Sequence, residues 1–349
     1  LLQVVGRHTV TVAQLKRIFR MLHLQDGKRP DYTLTLLDAM EGMIVTAQVP
    51  RQFFFFQGNE SGLRLPAFKK WPAMKGFSFS TWFCIDNRTN LKYNPRLLCF
   101  RQDSGFGFEL YFKAHDSFPN AFSVMFTVFA SSGAHTVEIG VVARSRGKGQ
   151  GWHHIALSHT ASNFRSKSEL LVLINSKRSQ HTITYPRFSD EVRYPTIGDV
   201  SPNFRDEGSI TTFFGQVAPI YFFSESLPEV YLQGIYELGP NYSQLFSDKD
   251  NSTQSFDSSV QRGPNFSRVQ DGFLSAAIML TYNPALRRGN VIIDNTPEKN
   301  VNLAADAGRR MNAMRLRGTY VFSTRDVRDS FDCLGGVKVL LPLFTQLHN

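Results

Sequence analysis

Cysteine is scarce in this chain: Cys84, Cys99 and Cys333 are the three among 349 residues. So sparse and odd a count does not build the disulfide framework of a small secreted scaffold. Cys84 and Cys99 fall on neighbouring predicted strands and are near enough to pair. Their contexts, Trp-Phe-Cys-Ile and Leu-Leu-Cys-Phe, fit buried free thiols and a reducing compartment better. Long apolar runs are also missing, and no stretch reaches the ~20 residues of a membrane-spanning helix. No block of like charge is long enough for a polybasic tail or a nuclear signal. Cys-X-X-Cys, His-Glu-X-X-His and Gly-X-Ser-X-Gly do not occur, which removes familiar signatures of redox, zinc and nucleophile chemistry. Asn59, Asn87, Asn241, Asn251 and Asn265 head glycosylation-type tripeptides, a match expected by chance in loops rich in Asn, Ser and Thr. The first residue is Leu rather than Met, so the chain is expected to be part of a longer protein.

Phenylalanine, in contrast, is abundant: 31 residues, within 42% hydrophobic and 13% aromatic content. That composition favours packed β structure over disorder. The length allows two or three domains and a large core. The net charge is +10, spread over short clusters such as Lys16, Arg17 and Arg20, or Arg309, Arg310, Arg315 and Arg317. A basic surface suits nucleic acid, anionic lipid or an acidic protein face. Nucleic acid fits least and is not expected as a partner. Single-strand binders interleave cations with exposed aromatics, whereas here the aromatics alternate as core positions do.

Residues 1–49 read as helical. Thr11 and Gln14 make a capping box, and Val12, Leu15, Ile18, Phe19 and Leu22 recur at helical spacing. A second helix is expected over about 32–43, and two helices with a short break resemble one unit of an α-solenoid. At Phe53 the texture changes. Residues 77–86 alternate Phe77, Phe79, Thr81, Phe83 and Ile85 against Ser78, Ser80, Trp82, Cys84 and Asp86, one face apolar and one mixed. Further strands are expected at 62–66, 97–101, 106–113, 122–129, 136–143, 152–159, 169–175 and 181–185, with a last one at 211–223. Many strands with short turns specify a sandwich. Ser226 and Glu229 predict a capping box for a helix ending near Gly239. Residues 241–272 are polar and read as a linker, and helical patterning returns at 273–282.

Several motifs carry a resemblance. Trp71, Pro72, Gly76, Phe77, Ser78, Phe79 and Trp82 resemble the concanavalin A-like lectin domain of the BEACH-domain proteins, particularly the neurobeachin branch. So do Leu98, Cys99, Phe100 and Arg101, the run from Gly215 to Leu227, and Ile235 to Pro240. Tyr282 to Ala285 and Cys333 to Val337 resemble the armadillo-like region after that domain, and Leu15 to Leu22 the helices before it. The expected fold is α+β and multi-domain. An antiparallel β-sandwich, a concanavalin A-like or laminin-G-like jelly roll over 50–240, is flanked by α-helical armadillo-like solenoid segments at 1–49 and 273–349. The resemblance implies part of a large cytoplasmic scaffold acting in membrane traffic, peripheral to endomembranes. The BEACH domain, its PH-like partner and the WD40 propeller of such proteins are absent from this chain, and no residue role is implied.

The chemistry of particular residues points the same way. Asp86, Asn87, Asn90 and Asn94 are too few for a hard cation, which takes about six to eight oxygens, and read as turn residues. Glu109 and Glu138 are single acids on different strands, not the carboxylate pair of a glycoside hydrolase. His153 and His159 share one strand face and His154 the other; the first two are about 20 Å apart on an extended strand and cannot share one ion. Gly147 to Gly151 has no Ser or Thr after Lys148 and reads as a hairpin loop, not a phosphate loop. Its Arg144, Arg146 and Lys148 are the candidate contact for an acidic partner or an anionic headgroup. The expectation is a non-catalytic interaction module binding trafficking proteins, with no metal or cofactor. Its rivals are a carbohydrate-binding lectin of a secreted or cell-surface protein and a binder of anionic membranes.

Overall fold

The computed structural model describes residues 11–24, 28–45, 50–58, 60–68, 76–143, 151–162, 167–188, 190–205, 212–246, 264–303, 309–324, 330–331, 333–336 and 338. Two compact units emerge, Leu1–Arg51 with Ser323–Asn349, and Gln52–Phe322.

In the first unit, α1 (Val12–Met21) starts on the predicted capping box. The Thr11 hydroxyl accepts from the Gln14 amide at 3.2 Å, and the Gln14 side chain accepts from the Thr11 amide at 2.9 Å. Leu15, Ile18 and Leu22 then meet Leu36 and Met40 of α2 (Thr33–Val45). Phe331 and Leu334, from the other end of the chain, pack on the same cluster. Phe19 and Phe331 stand edge to face at 5.3 Å. The helical stripe left bare by the first segment is thus covered by the last.

The second unit contains β1 (Gln52–Gln57), β2 (Leu63–Arg64), β3 (Gly76–Ile85), β4 (Arg96–Arg101), β5 (Gly107–Ala114), β6 (Ala121–Ala130), β7 (Gly133–Ala143) and β8 (Trp152–Thr160). It continues with β9 (Glu169–Ile174), β10 (Lys177–Thr182), β11 (Thr196–Ile197), β12 (Phe214–Phe223), β13 (Ile278–Arg288), β14 (Val291–Asp294), β15 (Ala313–Arg315) and β16 (Thr319–Ser323). They pair in the order β10-β9-β8-β3-β12-β13-β14-β15-β2-β11-β4-β5-β6-β7, with β1 between β12 and β16. The path folds over into two layers. Aromatic residues from both fill the space between: Phe77 on Phe108 at 5.3 Å, Phe83 on Phe112 at 5.2 Å and Phe100 on Phe222 at 5.5 Å. The period-two pleat directs Ile220 and Phe222 into this core and Tyr221 and Phe223 to the opposite face. There α3 (Glu229–Glu237), α4 (Phe266–Val269) and α5 (Phe273–Ala277) form a cover, with Leu232, Ile235, Val269 and Leu274 packed over Ala156, Leu173, Tyr221 and Phe223.

The sandwich extends well past residue 240. The expected helix at 273–282 stops at Ala277, and β13 to β16 lie within the stretch assigned to the second helical segment. Ile278 packs under the helical cover while Met279, Leu280 and Tyr282 face the aromatic core. A strand buried on both faces has no alternation to read, and a short apolar run of that kind is indistinguishable from a helix by periodicity. Pro284, which donates no ladder bond, sits where the β13–β14 register shifts between Tyr282 and Arg287. The strands after β13 are tied by buried polar groups. Asp294 accepts from the amides of Thr296 at 3.0 Å and Met311 at 3.1 Å, and the Tyr282 hydroxyl donates to the Met311 carbonyl at 2.6 Å.

Other expectations need smaller corrections. Residues 247–263 of the expected linker lie outside the described residues, but its flanks are packed: Phe246 and Val269 are buried in the helical cover. The Ser226–Glu229 capping box does not form. Ser226 bonds instead with Ser158 and Thr160, Glu229 pairs with Arg178 at 2.8 Å, and α3 starts at Pro228 without a side-chain cap. The strand expected at 181–185 is β10, four residues earlier at its start, and the long strand expected at 211–223 is β12, which is not the last of the set because β13 to β16 follow it. Cys84 and Cys99 are not on neighbouring strands: β3 pairs with β8 and β12, and β4 with β5 and β11. Both are free thiols.

Candidate functional site

Among the described residues, β10 and β7 are the two ends of the strand path, each paired on one side only. The two edges meet where the Ser179 hydroxyl donates to the Ile139 carbonyl at 3.0 Å. Gly140 permits that approach, since a Cβ there would lie 2.5 Å from the Ile174 Cδ1. Beyond this point the edges splay and enclose a cleft of about 860 Å³. The turn from β6 into β7 supplies one wall, with Ser131, Ser132 and His135; residues 182–188 supply the other. Phe106, Val137 and Ile183 contribute apolar surface.

Three hydrogen bonds shape the walls. Ser132 Oγ lies 2.8 Å from His135 Nε2, which orients that imidazole. Ser168 Oγ donates to the Thr160 carbonyl at 2.9 Å and lies 3.0 Å from Nε2 of His159, linking the cleft to a buried ring. Lys167 and Arg187 are exposed at the cleft, and no Asp or Glu is among its described lining residues. Neither cation has a carboxylate partner among the described residues. The arrangement offers hydroxyl and imidazole hydrogen bonding, apolar surface and net positive charge.

The candidate contact Arg144, Arg146 and Lys148 lies outside the described residues. The described strands on either side, β7 and β8, are not a hairpin pair, because β7 pairs with β6 while β8 pairs with β3 and β9. The histidines fall as the pleat requires. His153 packs on Phe83 and His159 on Phe77, both towards the aromatic core. His154 faces the helical cover, 5.1 Å from Trp82 and 5.5 Å from Tyr236, with its Nε2 2.9 Å from Ser80 Oγ. Burial pushes their pKa values down, to about 4 for His153, about 3 for His154 and about 4 for His159.

The acidic residues are engaged locally. Asp86 binds Arg88 at 2.8 Å, and that hydrogen bond holds its carboxyl below the usual range. Asn90 caps a short turn by accepting from the Lys92 amide, and Asn94 takes the left-handed conformation that ends it. Glu109, almost fully buried, is held by Arg96 at 3.2 Å and Arg101 at 3.3 Å. Glu138 is exposed on β7. The cleft residues His135, Lys167 and Arg187 were not singled out in sequence, where nothing separates them from ordinary surface positions. Only the splaying of two edges brings them together.

Residues 306–349 match the family described as Neurobeachin/BDCP, DUF4704 alpha solenoid region. A neurobeachin homolog from Caenorhabditis briggsae is 27% identical over 97% of this chain and 13% of its own length. BEACH domain-containing protein B from Arabidopsis thaliana is 26% identical over 99% of this chain and 13% of its own length. The chain therefore spans about 13% of these curated relatives. A solved structure of a candidate carbohydrate-binding protein from Bacteroides ovatus is similar at 14% identity and a TM-score of 0.44, covering 78% of this chain and 60% of that one. The chain is thus similar to neurobeachin-like BEACH-domain proteins over nearly its whole length, and its last segment matches the neurobeachin solenoid family.

Proposed function

We propose that this chain is a non-catalytic interaction module of a vesicle-trafficking scaffold, in which the sandwich presents binding surface and the helices carry the solenoid. The observation that supports this most is the descent of one helical core from both ends of the chain. Leu15, Ile18, Leu36 and Met40 share it with Phe331 and Leu334. The Thr324 amide donates to the Arg51 carbonyl at 2.7 Å, so the points where the chain leaves and rejoins this unit are adjacent. A domain spliced in at one point displays surface without interrupting the solenoid, whose stability is built from neighbouring repeats. The reading places the protein in the cytoplasm, at the surface of endomembranes, with protein partners.

The test is proximity labelling of the intact parent protein, with and without residues 52–322. Loss of a discrete set of labelled proteins on deletion supports the module. An unchanged set refutes it and leaves the sandwich as a spacer.

A further inference from the structure

We propose that the cleft between β7 and β10 receives an extended acidic peptide from a partner protein, added as a strand along the free edge of β7. This rests on the reading of the sandwich as an interaction module and names its site and ligand class.

The edge comes first. β7 ends the strand path, and its His135, Thr136 and Val137 line the cleft, so this part of its outer edge is open to the cleft and not paired with a neighbouring strand. An exposed edge is a template for another strand. The β10 edge touches β7 where Ser179 bonds the Ile139 carbonyl, and its Thr182 belongs to the opposite wall of the cleft. A segment of roughly five residues spans the open part at ~3.3 Å per residue.

Chemistry selects the segment. Side chains of an added strand alternate, one set facing inward and the other outward. The inward set meets Val137, Ile183 and Phe106, which suits small or β-branched apolar residues. Lys167 and Arg187 stand at the rim with no carboxylate beside them among the described lining residues. Acidic side chains at alternate positions complete that charge, and electrostatic complementarity of this kind governs encounter and partner choice. A recessed cleft with an apolar floor suits a peptide strand better than a lipid headgroup, which favours cations projecting from a surface.

The test uses the whole 349-residue chain. The probe is a fluorescein-labelled peptide of about ten residues alternating Glu and Val, read by fluorescence anisotropy. The wild-type chain is expected to bind it, and the double variant K167E/R187E to bind about tenfold or more weakly. Both positions are exposed, so the variant is expected to keep its far-ultraviolet circular dichroism. As a second arm that leaves the protein untouched, N-methylating the peptide backbone along its pairing edge is expected to abolish binding. Failure of the wild type to bind, or indifference to both changes, overturns the proposal. So does capture of anionic phosphatidylserine vesicles, or of a glycan, with the same charge dependence while the peptide is ignored. In the parent protein, loss of labelled partners on deleting 52–322 but not in K167E/R187E sinks the cleft assignment alone. No loss on deletion sinks the interaction module itself.

Discussion

Buried imidazoles make the stability of this sandwich depend on pH. His154 and His159 are enclosed on opposite faces of β8, and desolvation lowers their pKa values to about 3 and about 4. The unfolded chain binds protons near the ordinary value of about 6.5. Their contribution is therefore full above that pH and is lost as the pH falls towards the folded values, because the unfolded state then holds more protons. For the two together the slope approaches roughly 3 kcal/mol per pH unit, and half-buried His153 acts in the same direction. Urea unfolding at pH 7.5 and pH 5.5 is expected to show the fall. His154→Gln, which can keep a hydrogen bond to Ser80, should shrink it by about one histidine's share; equal stability at both pH values would refute the account. The thiols offer a second check. Burial first, then Asp86 or Glu109, raises Cys84 to about 11 and Cys99 to about 12, while Cys333 is exposed. A thiol reagent should modify Cys333 quickly in the native protein and the other two only after denaturation. Recovery of a single thiol in denaturant would mean that Cys84 and Cys99 are bridged.

At the scale of elements, α3 is held to the sheet by packing and not by its cap. Leu232 is fully buried in the outer cluster, and Trp82 stacks on Tyr236 at 5.5 Å. Leu232→Ala should cost about 2–5 kcal/mol and alter the Trp82 environment, seen as a change in tryptophan fluorescence. The strands should persist in far-ultraviolet circular dichroism, because the aromatic core lies on the other face of the sheet. Unchanged urea stability would show that the helix is not a working cover. The strands whose two faces differ were legible in advance. Phe77, Phe79 and Phe83 against Ser78 and Ser80 predict β3 almost to the residue. β13 was not legible, because the cover that α3 and its neighbours make is what buries its second face.

For the whole molecule, the boundary of the inserted unit is the consequential correction. Cutting at residue 240 removes β13 from its place beside β12 and takes Met279, Leu280, Tyr282 and Ile292 out of the core. A 50–240 fragment is expected to aggregate or lack a cooperative transition, whereas 52–322 should melt cooperatively in solution. Replacing 52–322 by a short flexible linker should preserve the helical spectrum of the remainder, since Arg51 and Thr324 already adjoin. A soluble, cooperatively melting 50–240 fragment would contradict this division.

What the residues determined by themselves is local: helices where apolar positions recur every three or four residues, strands where Phe alternates with Ser, turns at Asp86 and Asn94, and a scarcity of cysteine consistent with free thiols. These follow from backbone geometry and side-chain spacing within a few residues. Only the tertiary structure decided which edges meet and which part company. It made β13 to β16 strands, joined the chain's two ends in one helical core, and opened a cationic cleft between β7 and β10. Those outcomes depend on contacts between residues far apart in the chain, whose burial on a second face leaves no local period to read.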